Sequence, residues 1–236
     1  MPDIERGPAT AGPEGQHRPP LDGPRERRRR QTREEILDAA LDVVTEQGVA
    51  ALNLSEVARR VGLRQPSLYQ YFDSRLAVYD ALFERGMAQH LDLVRSAIAA
   101  NPPGLAALRA IAVGTVRYSV EHPAFAQLMF FPAIPGFEPS GQAYQPSLEV
   151  QKLTTAAVAA AVQRSELHPA AATEQGLALF IALAAGIASL QLGNDRHSGF
   201  DEGRYSPLVE PALDMFAAYF SPNKQPDWRP SNQHQT

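Results

Sequence analysis

The stretch that most constrains this chain runs from Asn53 to Arg75, NLSEVARRVGLRQPSLYQYFDSR. Val57, Ala58 and Val61 fall on one helical face, Gly62 supplies a tight turn, Pro66 opens a second short helix, and Leu68 and Phe72 repeat the apolar spacing. Two short helices sharing one small core leave the opposite face of the second helix free. That face carries Gln65, Ser67, Tyr69, Gln70 and Tyr71, side chains that can meet phosphates and base edges. A helix-turn-helix has this layout, with its second helix offered to the major groove.

The flanking sequence extends the pattern. Residues 1–24 are rich in Pro and Gly without periodicity and read as a disordered leader, followed by the run RERRRR at Arg25–Arg30. A flexible arm carrying Arg28, Arg29 and Arg30 beside a reading head is suited to neutralising phosphates or entering an adjacent minor groove, although such a run can also be a merely solvated segment. Thr32 with Glu35 fits a capping box, which places the start of the first helix there. Asn53 with Glu56 repeats that logic for the second helix. From about Asp73 to Ala100 a long amphipathic helix is expected, with Leu76, Tyr79, Phe83, Met87 and Leu91 among its buried side chains, ending before Pro102-Pro103. Further helices are expected at about Leu105–Glu121, Pro123–Phe131, Pro146–Ser165, Ala170–Leu192 and Pro207–Phe220, and nothing reads as a strand.

The division is then a leader and arm over 1–31, a helix-turn-helix head over 32–75, a helical body over 76–220 and a polar tail over 221–236, in an all-α chain of 236 residues. With no Cys, disulfides, zinc fingers and thiol catalysis are excluded. No apolar signal core opens the chain and no uninterrupted apolar run reaches membrane-spanning length, so the expected location is cytoplasmic, with no membrane partner. The net charge of −4 argues against a generic nucleic-acid binder, but its distribution qualifies that: residues 1–75 balance 12 basic against 12 acidic residues, and the excess acid lies beyond them. No H-E-x-x-H, G-x-S-x-G or phosphate-binding loop occurs, so neither an enzyme nor a cofactor is expected.

From Thr32 to Phe83 the chain resembles the TetR family of bacterial transcriptional regulators. The resemblance is carried by REEILDAA at Arg33–Ala40, Gly48, VARRVGL at Val57–Leu63, SLYQYF at Ser67–Phe72, and the basic residue Arg75. It implies that Tyr69 and Arg75 reach backbone phosphates, that Gln65, Ser67 and Gln70 face the groove floor, and that Asn53 and Ser55 present a helix N-terminus to phosphate. Tyr71 could join them or simply pack. Arg64 stands where relatives often carry a capping Ser; a guanidinium cannot accept a backbone hydrogen bond, so Arg64 either leaves the helix uncapped or contacts DNA itself.

The resemblance further implies a homodimer on double-stranded DNA with a palindromic operator, because one small head makes few base contacts. The last two helices are the expected dimer surface, through the small residues Ala178, Ala182, Gly186 and Ser189 with Leu213 and Phe216 adding apolar area. An apolar cavity for a small hydrophobic effector is expected around Tyr118, Phe125, Met129, Phe130, Phe131, Phe137 and Tyr144, with Arg117, Glu121, His122 and Gln127 as the nearby polar groups. Effector-linked release from the operator would make a repressor. The alternative is an architectural DNA-binding protein that senses nothing.

Overall fold

The computed structural model describes residues 23–130 and 134–223, so expectations for residues 1–22, for Phe131 and for residues 224–236 lie outside it. Among the described residues there are nine α-helices, three short 3-10 turns and no strand, in keeping with the all-α expectation. Helix α1 spans Pro24–Gln47, α2 Leu54–Arg60, α3 Gln65–Leu68 and α4 Arg75–Ala100. The body continues with α5 Leu105–Glu121, α6 Pro123–Phe130, α7 Gln145–Gln163, α8 Glu174–Asn194 and α9 Val209–Tyr219.

One expectation is corrected at the outset. The first helix begins at Pro24 rather than Thr32, so Arg28, Arg29 and Arg30 lie within α1 and are not a flexible arm. Pro24 at the first helical position brings a preset φ, and the Glu26 carboxylate accepts the Gly23 N–H at 3.2 Å. Glu35, expected to cap, instead accepts from Gln31 Nε2 one turn back at 3.0 Å.

The head closes around Ile36, Ala40, Val43, Val57, Leu68 and Phe72, all buried. Gly48 and Gly62 have φ of +91° and +69°, conformations an L side chain rarely adopts, and they punctuate the ends of α1 and α2. The same apolar cluster runs on without a break into Tyr79 and Leu82 of α4, Tyr118 of α5, and Phe125 and Leu128 of α6. The Tyr79 hydroxyl donates to the Val49 carbonyl at 2.5 Å, tying α4 to the turn after α1. At Gly86 an added Cβ would lie 2.9 Å from the Phe125 ring, so this glycine lets α6 close down on α4. Head and body are thus joined by a packed core, and Leu76, expected inside, is 43% exposed at the junction.

A second cluster, built on Val94, Leu108, Val158, Phe180, Leu213 and Phe216, holds the far end of the body together. Helix α8 is long and apolar enough to cross a membrane by length and composition. In the fold, its Phe180, Ala184, Ala188 and Gln191 are buried in the body. The loop after it is organised by Gln191, whose Oε1 accepts the Tyr205 and Ser206 amides at 2.9 and 3.1 Å.

Candidate DNA-reading head and ligand cavity

In the head, Asn53 caps α2 by accepting the Ser55 amide at 2.9 Å, and the Ser55 hydroxyl donates to Gln65 Oε1 at 2.9 Å. These two bonds fix α3 against α2 while leaving all three residues exposed. The capping box expected at Asn53 and Glu56 is half formed. Glu56 turns instead to Arg59 and Arg60, at 2.8 and 2.9 Å, and hydrogen bonds from these two guanidinium groups pull its carboxyl down to about 2. Arg60 also grips Glu46 of α1, so this pair of arginines braces the head.

Helix α3 is a single turn, and Arg64 at its N-cap supplies no side-chain cap. Tyr69 is 44% exposed. Arg64, Gln65, Gln70 and Arg75 are exposed with it, whereas Ser67 is half-buried. Tyr71 is half-buried against the head core, which is the packing role left open for it. Ser74 caps α4 by accepting the Ala77 amide at 3.1 Å, placing Arg75 on its first turn. Arg29 donates to the Gln70 carbonyl at 3.2 Å and Arg33 lies 4.6 Å from the centre of the Phe72 ring. The arginine-bearing end of α1 is therefore drawn to the turn after α3, giving one exposed surface with the Gln65 and Gln70 amides and cations side by side.

The body holds a cavity of about 580 Å³, within the range of small-molecule sites. Of the residues expected to line it, Met129, Phe130, Phe137 and Tyr144 do. Tyr118 and Phe125 do not: they belong to the core between head and body, where the Tyr118 hydroxyl meets the Gly86 carbonyl at 3.2 Å and Gln89 Oε1 at 3.1 Å, and burial pushes its pKa up. Arg117, Glu121, His122 and Gln127 also lie off the wall. Arg117 stacks on Phe200 and pairs with Asp201, while His122 ends α5.

The polar groups on the wall are others, and no charged side chain is among them. They include His90 and Thr115, joined at 2.9 Å, together with Ser119, Ser147 and Thr154. His90 is 3% exposed and burial brings its pKa down to about 4, so the ring is neutral near pH 7. A signal for it was present in the sequence: His90 follows Phe83 and Met87 on the apolar stripe of α4. The loop over the cavity is fastened to α4, since Asp80 accepts the Ser140 amide at 2.7 Å and its hydroxyl at 2.8 Å. On this loop Phe137 meets Phe83 edge-on, and Tyr144, at the loop's end, stacks on Phe83 at 6.2 Å.

The four small residues expected at a dimer surface, Ala178, Ala182, Gly186 and Ser189, are exposed or half-exposed along α8, and nothing lies within 4 Å of where a Cβ at Gly186 would be. Leu213 and Phe216 are each only 2% exposed: α9 turns them into the protomer's own core, and its outward side carries Met215, 71% exposed.

A helix-turn-helix head on an all-helical body defines a class of DNA-binding transcriptional regulators. The model for the tetR family of bacterial regulatory proteins matches residues 36–82, and that for the tetracyclin repressor-like C-terminal domain matches residues 108–216. The chain belongs to the TetR family and is a DNA-binding transcriptional regulator, not an enzyme. Over 63 residues it is 36% identical to the class D tetracycline repressor of Escherichia coli, a match covering 27% of this chain and only 29% of that repressor. Among solved structures, the candidate regulatory protein SCO4313 aligns with a TM-score of 0.66 at 26% identity, over 82% of this chain and 98% of that one. Bacillus subtilis FadR, solved in complex with stearoyl-CoA, aligns with a TM-score of 0.63 over 78% of this chain and 97% of its own; at 15% identity this speaks for the fold alone.

Proposed function

We propose that this cytoplasmic protein is a homodimeric repressor that holds a palindromic operator with two heads, those built on residues 32–75, and lets go when a small hydrophobic effector enters the cavity. The observation that carries the reading is the continuity of α4, whose first turn bears Arg75 and whose middle turns give Phe83, Met87 and His90 to the cavity wall. A ligand that displaces the wall displaces the base of the head, and two heads on one duplex convert that movement into a change of spacing. Arg85 adds a polar link, pairing with Glu34 and Asp38 of α1. Dimerisation is supported by the outward face of α8 and α9, where Leu179, Leu190 and Met215 stand exposed beside the small residues of α8. The apolar cavity wall supports a hydrophobic effector, as does the fatty-acyl ligand of FadR by analogy of fold.

The test is a titration of purified protein on the DNA flanking its own gene at several salt concentrations, with Tyr69→Ala alongside. One palindromic site bound tightly, with a salt slope of several phosphates and a loss of about 1.5–3 kcal/mol per head in the variant, is expected. Binding indifferent to sequence would overturn the site-specific repressor in favour of an architectural role.

A further inference from the structure

The polar groups of the cavity wall differ in one respect. The hydroxyls of Thr115, Ser119, Thr154 and Thr155 each donate to the carbonyl one turn back in their own helix, at 2.8 to 2.9 Å. Their donors are spent. Two buried polar atoms have no partner among the described residues: His90 Nδ1 and Ser147 Oγ, and both residues line the cavity. Native folds rarely leave a buried polar atom without a partner, so two on one cavity wall call for an explanation.

The identity of the free atom on His90 follows from its neighbour. The single proton of the Thr115 hydroxyl goes to the Ile111 carbonyl at 2.8 Å, so in the 2.9 Å contact with His90 Nε2 the threonine oxygen accepts and Nε2–H donates. That tautomer leaves Nδ1 with a bare lone pair. The aromatic rings of Tyr118 and Phe130, centred 5.9 and 5.8 Å away, hold the imidazole in place. Besides the exposed Gln151 amide, the cavity therefore presents one fixed buried acceptor, one buried hydroxyl that can give or take, and no charged lining side chain among the described residues.

Resting on the reading of this cavity as the effector site, we infer that His90 Nδ1 and Ser147 Oγ recognise an uncharged, largely apolar ligand bearing a hydroxyl or N–H, with that donor seated on His90. A carboxylate is excluded from the same place: it would meet a lone pair where it needs a proton, and no lining cation would compensate its desolvation. The headgroup of a charged acyl thioester would have to remain outside the cavity. Polar selection inside an apolar pocket is also the efficient way to discriminate, since a site built around one hydrogen bond rejects the analogue lacking it more strongly than an apolar wall rejects an extra methylene.

Three matched probes test this in calorimetric titrations of the full-length protein: para-octylphenol, its methyl ether para-octylanisole, and para-octylbenzoate. The phenol is expected to bind about tenfold more tightly than the anisole, the scale of one neutral hydrogen bond, and the benzoate most weakly. In His90→Phe the phenol-to-anisole ratio is expected to fall to about one while anisole affinity is kept; Ser147→Ala should lower the ratio by less. Equal binding of phenol and anisole by the native protein, a ratio that survives in His90→Phe, or tightest binding of the benzoate would each overturn the recognition pair and leave the cavity as an apolar effector site. If none of the three binds, the effector cavity fails with it. Should His90→Phe not fold, nitrogen NMR of histidine-labelled native protein decides the same question. The His90 imidazole should show an unprotonated Nδ1 that shifts with the phenol and not with the anisole. A protonated Nδ1, or one unmoved by the phenol, would refute the proposal.

Discussion

Head and body manage their polar and apolar groups in opposite ways. In the head, apolar side chains are inside, and Asn53, Ser55, Glu56, Arg59 and Arg60 hold one another, so that the reading surface is fixed before any partner arrives. In the body the arrangement is inverted at two places: Met215, Leu179 and Leu190 stand outside, while His90 Nδ1 and Ser147 Oγ sit unpartnered inside. A region whose groups are satisfied within itself presents a finished surface; one with inverted groups is completed by another molecule. Under the proposed function, the contrast assigns rigidity to DNA reading, and adaptability to subunit pairing and ligand capture.

The contrast breaks most visibly between two sequence neighbours on α9. Phe216→Ala should cost about 3–5 kcal/mol of folding stability in urea titrations, because it empties a position that is 2% exposed. Met215→Ala should change protomer stability by less than about 0.5 kcal/mol yet weaken self-association in sedimentation experiments, its side chain being 71% exposed. If both variants lose stability alike in the monomer, the outward face is not an unpaired one.

Acid sharpens the comparison next. The unfolded chain takes up a proton at His90 near the ordinary pH of 6.5, whereas the folded site resists until about 4 because burial penalises the cation. Protonation therefore favours unfolding: the stability contributed by neutral His90 is complete above 6.5 and is lost as pH falls toward 4, on the order of 3 kcal/mol in all. Denaturation of His90→Phe between pH 7 and pH 4.5 should lack this limb; an unchanged profile would show that His90 is solvated.

The smallest effect is expected at the link between the two regions. Glu34 and Asp38 are more than half exposed, so Arg85→Ala should cost less than about 1 kcal/mol in stability. Operator affinity without effector should hardly change, while the fall in affinity on adding effector should be reduced. Full retention of that fall would confine the coupling to the apolar contacts of α4 with α1 and α6.

The two regions also differed in how far the sequence could be read. The head's core, its turn at Gly62 and the exposure of Gln65, Tyr69 and Gln70 followed from spacing alone, because a small local fold is dominated by contacts between near neighbours, whereas Ser67 and Tyr71 of the same face are half-buried. The body's helices could be placed from their Pro and Gly boundaries to within a few residues. Which aromatic residues face the cavity could not, since Phe125 and Phe130 share one helix and only the close approach permitted at Gly86 sends Phe125 into the core. Leu213 and Phe216 were misplaced for a related reason: an apolar stripe shows that a helix has a buried side, not which body buries it. The start of α1 was missed because Thr32 and Glu35 outshone the weaker combination of Pro24 and Glu26.

That early start has a consequence of its own. A helix carries a partial positive charge at its first turns, and α1 opens there with arginines, offset in its first turn by Glu26 alone. Like charges crowd its opening turns, and repulsion among them is strongest in dilute salt. A polyanion would relieve it, so circular dichroism should record helix gained on adding polyphosphate. A phosphate backbone laid along α1 is thus expected to hold its opening turns in place, and dilute buffer to fray them.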